Sequence, residues 1–187
     1  MADIYSRAAK PRQRKSASAI PKPPQWVDAS GGDTLWFVEA LFLAYRDFIG
    51  EPDRILAEIG FGRAHHRVLY FVHRYPGMRV ADLLEILQIT KQSLARVLRE
   101  LVKETYIRQI SGETDRRERR LYPTDKGAAL AARLTELQLE KVSKALGAVG
   151  QEGRAAVAAF FQQMAPDASR LAALRKDLPA LGSDGEE

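Results

Sequence analysis

The chain has 187 residues, enough for one domain with a substantial core or for a small domain with arms. Its apolar content of 45% and charged content of 28% are ordinary for a soluble globular protein. No run approaches the roughly 18 apolar residues of a membrane-spanning helix, and no apolar stretch follows the N-terminal charges as in a secretory leader. The lack of cysteine excludes disulfides, thiol redox switches and cysteine-ligated zinc. We therefore expect a cytoplasmic protein without membrane contact.

The net charge of +5 belongs to the N-terminal segment. Residues 1–25 hold six bases and one acid, which leaves 23 bases and 23 acids in the remainder. The basic isoelectric point is therefore weak evidence that a folded domain binds nucleic acid, and the positions of individual bases matter more. Residues 1–32 have four prolines and little apolar surface, so they are predicted to form a mostly disordered basic arm. The arm is either a solvated tail or a contact to DNA phosphates or a partner subunit.

The first predicted helix begins at Thr34, with Asp33 as its cap, and extends to about Ile49, where Gly50 and Pro52 should end it. Apolar residues cover nearly its whole circumference. Such a helix must be buried on several sides, and a second subunit is the simplest source of the extra cover.

Two further helices are predicted over residues 53–59 and 64–75, separated by Gly60-Phe61-Gly62. The second carries one stripe at core spacing and another along a neighbouring edge. The first stripe holds His65, Val68, Leu69 and Val72, and the other holds His66, Tyr70 and His73.

The stretch from Val80 to Asp125 has the order of a winged helix-turn-helix. Residues 80–87 predict a short helix, 88–90 a turn, and 91–103 a second helix with Thr90 as its cap. Strands are predicted over 106–110 and 119–122, with a turn over 111–114 between them. The buried face of the second helix is defined by apolar residues at helical spacing, namely Leu94, Val97, Leu98 and Leu101.

The C-terminal third is predicted to be helical. Thr124 caps a long helix to about residue 146, which Gly147 and Gly150 should break. A helix over 151–164, halted by Pro166, and a segment over 168–178 precede a frayed acidic tail at 180–187. Together with the apolar first helix, these segments suggest a dimerisation bundle built from both chain ends, residues 33–50 and 124–178.

The polar face of the helix over 91–103 suits a DNA major groove, which admits one α-helix. Side chains near its N-terminus would lie closest to base edges, where glutamine pairs with adenine and arginine with guanine or phosphate. The arginine-rich segment 115–120 suits a minor groove or a phosphate clamp, with Asp115 bracing an arginine. The predicted DNA contacts are Thr90, Lys91, Gln92, Ser93, Arg96, Arg99, Asp115, Arg116, Arg117 and Arg119.

The segment from about Thr34 to Met164 resembles the MarR family of winged helix-turn-helix transcription regulators. Three motifs carry the resemblance: residues 93–98 with Leu101, Asp115-Arg116-Arg117, and the Thr-x-x-Gly formed by Thr124 and Gly127. The run Gly-Arg-Ala-His-His-Arg at 62–67 is similar to a proteobacterial subgroup of that family, the PetP/LdtR-like regulators. The resemblance implies a mainly α fold with a small β-hairpin wing.

The implied organisation is a linking helix over 63–75, a winged helix-turn-helix over 78–123 and a helical dimerisation bundle. A homodimer on pseudo-palindromic double-stranded DNA would follow. The resemblance also implies a small-molecule effector, commonly a phenolic or lipophilic anion, bound between the dimerisation and DNA-binding parts. The pocket hypothesis names Phe42, Tyr45, Arg46, His66, Leu69 and Tyr70, and packing in the core or a dimer is the alternative role for the same residues.

The sequence departs from the family pattern in three places: residues 60–66, Pro123, and a basic arm that is longer than the family minimum. Gly62 stands where Thr or Ser is usual, and it is a weaker helix cap. Pro123 stands where the return strand usually ends in Leu, so that strand should finish there or lie at a sheet edge.

Neither a metal site, a cofactor nor catalysis is expected. His66 and His73 are seven residues apart, a rise of roughly 10 Å, whereas zinc ligands lie about 2 Å from the metal. A hydrogen-bonded core role is expected for His65 instead. Neither a zinc-protease motif, a nucleophile elbow nor a glycine-rich phosphate loop appears in the sequence. Two alternatives to a specific regulator stay open: a winged-helix protein-interaction module, and an architectural DNA binder without a preferred sequence.

Overall fold

The computed structural model describes residues 34–111 and 118–165, and these are mainly helical with a small antiparallel sheet. The predicted fold class is therefore confirmed. Several predictions concern residues outside the described ranges. They are the arm over 1–32, the Asp33 cap, residues 112–117, the helix over 168–178 and the tail over 180–187. The elements in chain order are α1 (Thr34–Glu58), α2 (Arg63–Arg74), β1 (Met78–Arg79), α3 (Val80–Leu87), α4 (Lys91–Lys103), β2 (Ile107–Ser111), β3 (Arg119–Pro123) and α5 (Asp125–Met164).

Helix α1 is longer than the sequence predicted. It passes through Gly50 and Pro52 and ends at Glu58, so the separate helix expected over 53–59 is its last part. The prediction was wrong because proline costs an internal helix about 3 kcal/mol, which burial of a continuous face can offset. That face consists of Ile49, Pro52, Ile55 and Leu56, each buried.

The end of α1 has the geometry that glycine favours. Gly60 has φ +75°, and the amides of Gly60 and Phe61 donate to the carbonyls of Ala57 and Leu56 at 3.1 and 2.8 Å. This is a Schellman motif, in which the left-handed residue normally lacks a Cβ. The stop predicted at Gly60-Phe61-Gly62 is therefore confirmed, whereas the stop predicted at Gly50 is wrong.

Helix α5 begins as predicted, because the Thr124 hydroxyl accepts from the amide of Gly127 at 3.1 Å. Its interruption lies at Gly150, whose φ of +69° and ψ of −174° are not helical. Gly147 lies inside the helix, so of the two glycines predicted to break it, Gly150 alone does so. The helix resumes and ends at Met164, just before Pro166.

The sheet has three strands in the order β1-β3-β2, one more than predicted. The additional strand is the two-residue β1, which pairs Met78 with Leu121 and Arg79 with Arg120. Strand β3 ends at Pro123, as predicted, with Ile107 as its partner across the ladder. A proline at the end of the central strand removes no interior ladder hydrogen bond.

The main core lies where α2, α3, α4 and the sheet meet. The predicted buried face of α4 is confirmed: Leu94, Val97, Leu98 and Leu101 are each at most 4% exposed. A smaller cluster joins Ile55 and Leu56 of α1 to Leu134 of α5. The polar face of α4 is consequently held outward by a helix that is fixed from behind.

Candidate nucleic-acid interface and adjoining cavity

The N-terminus of α4 is capped by its own sequence. The Thr90 hydroxyl accepts from the Ser93 amide at 3.1 Å and donates to the Ser93 hydroxyl at 2.9 Å. The cap satisfies an amide that would otherwise lack a partner in the first turn. Thr90 therefore fixes where α4 begins, and its hydroxyl is engaged in that role.

The outward face of α4 carries the predicted polar residues. Lys91, Gln92, Ser93, Arg96 and Arg99 are all exposed. Four of them, from Gln92 to Arg99, line a shallow depression of about 380 Å³. The structure thus brings the predicted major-groove residues onto one surface, with the positive end of the helix dipole beside them.

Arg119 and Arg120, on the return strand of the wing, have different partners. Arg119 is exposed, and its Nη1 contacts the Ser111 hydroxyl across the hairpin. Arg120 is more enclosed, because its Nη2 pairs with Glu118 at 2.7 Å and its Nη1 donates to the Gly77 carbonyl at 3.3 Å. Arg120 thus braces the base of the wing, whereas Arg119 faces solvent. Of the other predicted wing contacts, Asp115, Arg116 and Arg117 lie outside the described residues.

A broad groove of about 910 Å³ runs between α3, α4 and the wing. Its floor is apolar, and it includes Leu84 and Leu98. The basic residues that line it are Arg79, Lys91, Arg99, Lys103 and Arg119. Lys103 was absent from the predicted DNA contacts, although it lies four residues after Arg99 and therefore on the same face of α4.

A second cavity, of about 570 Å³, lies between α1, α2 and α5. Each helix contributes residues at a helical repeat, so the walls are three facing stripes. The lining residues are Tyr45, Phe48 and Ile49 from α1, then Arg63, His66, Arg67, Tyr70 and Phe71 from α2, then Thr135, Gln138, Leu139 and Val142 from α5.

Three of the six residues in the pocket hypothesis line this cavity: Tyr45, His66 and Tyr70. Leu69 is only 1% exposed and packs in the main core, because it lies on the opposite face of α2. Phe42 is 71% exposed and lies one turn beyond the lining residues of α1. Arg46 is also exposed, and its Nε pairs with Asp47 at 2.8 Å.

The polar groups of the cavity are of two kinds. His66 and Gln138 are buried to below 10% exposure, and within the described residues no hydrogen bond to protein is present for either side chain. Burial lowers the pKa of His66, and the Asp53 carboxylate opposes that effect. His66 is therefore neutral near neutral pH and offers one donor and one acceptor.

The cations of the cavity are Arg63 and Arg67. Arg63 Nε donates to Asp53 Oδ2 at 2.7 Å, and this hydrogen bond raises the pKa of Arg63. The Arg63 guanidinium also lies 5.9 Å from the centre of the Tyr45 ring. Arg67 Nη2 instead donates to the Leu87 carbonyl of α3 at 3.2 Å.

His65 faces away from the cavity and has the hydrogen-bonded role that its sequence position predicted. Its ring stacks on Phe61 at 4.5 Å, and its Nδ1 accepts from the Gly62 amide at 3.2 Å. Its Nε2 lies 2.7 Å from the Glu100 carboxylate of α4. Because Nδ1 accepts, Nε2 carries the proton and donates to Glu100.

Within residues 34–111 and 118–165, no group of three or more His, Cys, Asp or Glu side chains could hold a metal ion. Over the same residues, no helix is long and apolar enough to cross a membrane.

The sequence profile of the MarR family matches residues 59–118. The HTH-type transcriptional regulator PetP of Rhodobacter capsulatus is 44% identical to this chain over 143 residues, which cover 72% of this chain and 84% of the relative. The chain belongs to the MarR family of winged helix-turn-helix transcriptional regulators. The subgroup resemblance drawn from residues 62–67 agrees with this relative, and the family is generally non-enzymatic.

Solved MarR-type structures share the fold. FabT of Streptococcus pneumoniae, in complex with DNA, has 18% identity and a TM-score of 0.60, covering 74% of this chain and 99% of its own. S. aureus MepR in a DNA-binding conformation has 17% identity and a TM-score of 0.62, covering 72% of this chain and 98% of its own.

Proposed function

We propose that this chain is a homodimeric, sequence-specific DNA-binding regulator whose affinity for DNA responds to a small molecule. The observation that carries the DNA-binding part is the exposed face of α4. Gln92, Ser93 and Arg96 project from a helix that is capped at its start and buried along its other side. A helix held this way presents a rigid reading surface, which specific recognition requires.

The proposed contacts divide by chemistry. Gln92 and Arg96, near the N-terminus of α4, read base edges in the major groove. Lys91 and the basic edge of the groove beside the wing contact phosphates, which adds affinity with little sequence information. Arg119, together with Arg116 and Arg117, reaches the flanking minor groove, and Asp115 braces one of these arginines.

The homodimer is proposed from apolar surface that a single chain leaves exposed on α1 and on the distal half of α5. A patch of this kind marks an interface. Its members include Leu35, Phe37, Phe42 and Leu43, with Phe160, Phe161 and Met164. Phe42→Glu tests it by sedimentation: we expect monomers, with the core intact because Phe42 is 71% exposed. The control is Ala57→Glu, at an exposed position of the same helix, and a dimer that withstands Phe42→Glu contradicts the proposed interface.

The effector is proposed to occupy the cavity between α1, α2 and α5. Its volume of about 570 Å³ lies within the range of small-molecule sites. Aromatic walls suit an apolar ligand body, Arg63 and Arg67 suit an anionic group, and His66 and Gln138 have hydrogen-bonding capacity to offer. An amphipathic organic anion satisfies all three features.

The test of DNA binding is selection of bound fragments from a genomic library, followed by titration of the selected duplex. A specific regulator enriches a pseudo-palindrome. We expect the affinity to fall steeply with salt, by roughly 10³ to 10⁵ between 50 and 200 mM for six to ten phosphate contacts. Binding without an enriched sequence indicates an architectural protein, and no binding at low salt favours a protein-interaction module.

Two substitutions distinguish a side chain that reads bases from one that adds affinity without sequence information. Arg96→Ala should lose discrimination at one base pair of each half-site, worth about 1–3 kcal/mol. Arg119→Ala should weaken all sequences alike, and Arg154→Ala, which removes an exposed arginine far along α5, is the matched control. Equal losses across a panel of site variants for Arg96→Ala would contradict its base-reading role.

A further inference from the structure

Arg67 joins the cavity to the helix-turn-helix. Its side chain lines the cavity, and its Nη2 donates to the Leu87 carbonyl of α3 at 3.2 Å. Within the described residues, it is the cavity-lining side chain whose hydrogen bond reaches the DNA-binding helices. The Arg67 side chain therefore lines the cavity and also supports the helix-turn-helix.

The Leu87 carbonyl lies at the C-terminus of α3, directly before the turn that leads into α4. The last carbonyls of a helix have no partner within the helix, and here three residues separate the end of α3 from the start of α4. Gln88, in the left-handed conformation, supplies its amide to Leu84 O at 3.0 Å and its Nε2 to Glu85 O at 2.6 Å. The Leu87 carbonyl accepts instead from the Arg67 guanidinium, which belongs to α2. A cation at a helix C-terminus is also favoured by the helix dipole.

An anion in the cavity would compete for this guanidinium. An anionic acceptor adds the attraction between two opposite charges to the hydrogen bond, whereas the Leu87 carbonyl offers the guanidinium a neutral acceptor. We propose that Arg67 is the positioning residue through which the cavity controls α4: a bound organic anion draws the guanidinium from Leu87, and the end of α3 loses this hydrogen bond to α2. This inference rests on the proposed function, since it requires both DNA binding and an anionic ligand.

Arg63 provides the internal comparison. It lies one turn earlier on α2, lines the same cavity and carries the same charge. Its partner is Asp53 of α1, at 2.7 Å, and not a group of the helix-turn-helix. Both arginines should attract an anion, but only Arg67 should transmit its presence to DNA.

The experiment measures coupling with 1-anilinonaphthalene-8-sulfonate, a fluorescent aromatic anion. The Kd of the selected duplex is measured with and without saturating probe, and the Kd of the probe with and without saturating duplex. The two ratios must agree if the sites are linked. In the native protein we expect the probe to weaken DNA binding at least about fivefold, the lower end of typical allosteric coupling.

The two arginine variants should then behave differently. In Arg67→Met we expect the coupling ratio to fall to near one, with DNA affinity in the absence of probe already close to that of the probe-saturated native protein. In Arg63→Met we expect weaker probe binding but an undiminished ratio once the probe saturates. Arg67→Lys keeps the charge without the planar fork, and we expect an intermediate ratio; it replaces Arg67→Met if the latter does not fold.

Several results would overturn the inference. One is a coupling ratio in Arg67→Met that equals the ratio of the native protein, or the same result in Arg67→Lys where that variant replaces Arg67→Met. Others are a probe that binds without changing DNA affinity, a probe that does not bind, and probe affinity unchanged in both arginine variants. If the native protein binds no duplex at all, the proposed DNA-binding function itself fails, which is a distinguishable result.

Discussion

Gly127 is the point at which α5 touches the wing, and replacing it with alanine should be severely destabilising. A Cβ at this position would lie 1.9 Å from the Tyr106 carbonyl oxygen and 2.9 Å from its carbon. The same oxygen accepts from the Thr124 amide at 3.1 Å, and the Tyr106 amide donates to Leu101 at 2.8 Å. Because Tyr106 is held from both sides, α5 has to move away by more than about 1 Å, at the expense of core contacts.

We expect Gly127→Ala to cost on the order of 3–5 kcal/mol, a large share of the roughly 5–15 kcal/mol that stabilises a domain. Urea unfolding measures the loss, at fixed protomer concentration because the stability of the proposed homodimer depends on that concentration. Gly147→Ala is the control: nothing lies within 4 Å of its Cβ, and the position is helical, so we expect a gain of about 0.5–1 kcal/mol. A Gly127→Ala midpoint equal to that of the native protein would refute the steric argument.

Three further results are expected. Thr105 occupies the left-handed position of a Schellman motif at φ +60°, so Thr105→Gly should stabilise the protein in urea by about 1 kcal/mol, whereas Thr105→Ala should gain much less. Burial lowers the pKa of His66 in the folded state, so the unfolded state binds a proton at higher pH than the folded state does. The free energy of unfolding should therefore be retained above about pH 6.5 and decrease as the pH falls towards the folded-state pKa of His66. His66→Gln should lack this part of the pH dependence. Thr90→Asn should keep both the helix cap and the affinity for DNA. Thr90→Asp should keep the cap but weaken DNA binding, because it places a negative charge near a DNA phosphate. Equal DNA affinities of the two variants would argue against a phosphate near the N-terminus of α4.

The parts of the fold that sequence predicted are those specified by local chemistry. The apolar repeat of α4 and the Thr90 and Thr124 caps depend on neighbours three or four residues away, and the structure confirms all three. The end of α1 was mispredicted because the local penalty at Pro52 competes with burial against a distant helix. Strand β1 was missed because two residues carry no periodicity, and their pairing is set by Leu121 and Arg120, more than 40 residues away.

The candidate site divides in the same way. The exposed face of α4 could be predicted because one helix carries it. The cavity could not, because it combines stripes from three helices and depends on how they pack. His66 and Tyr70 were found as an edge of α2, but Gln138 has no local feature that distinguishes it from a solvated residue of α5.

The connections of α2 also limit how strongly a ligand can act. Arg67 contributes one hydrogen bond to the helix-turn-helix, and because its guanidinium is charged a typical net contribution is about 1.5–3 kcal/mol, which corresponds to roughly a 10- to 150-fold change in affinity. The contact between His65 and Glu100 lies on another face of α2 and does not involve the cavity. It therefore persists when Arg67 moves, so α4 would be reoriented about a remaining attachment and not released. Coupling through this route should be graded, and a much larger ligand effect would require a change at the proposed dimer interface as well.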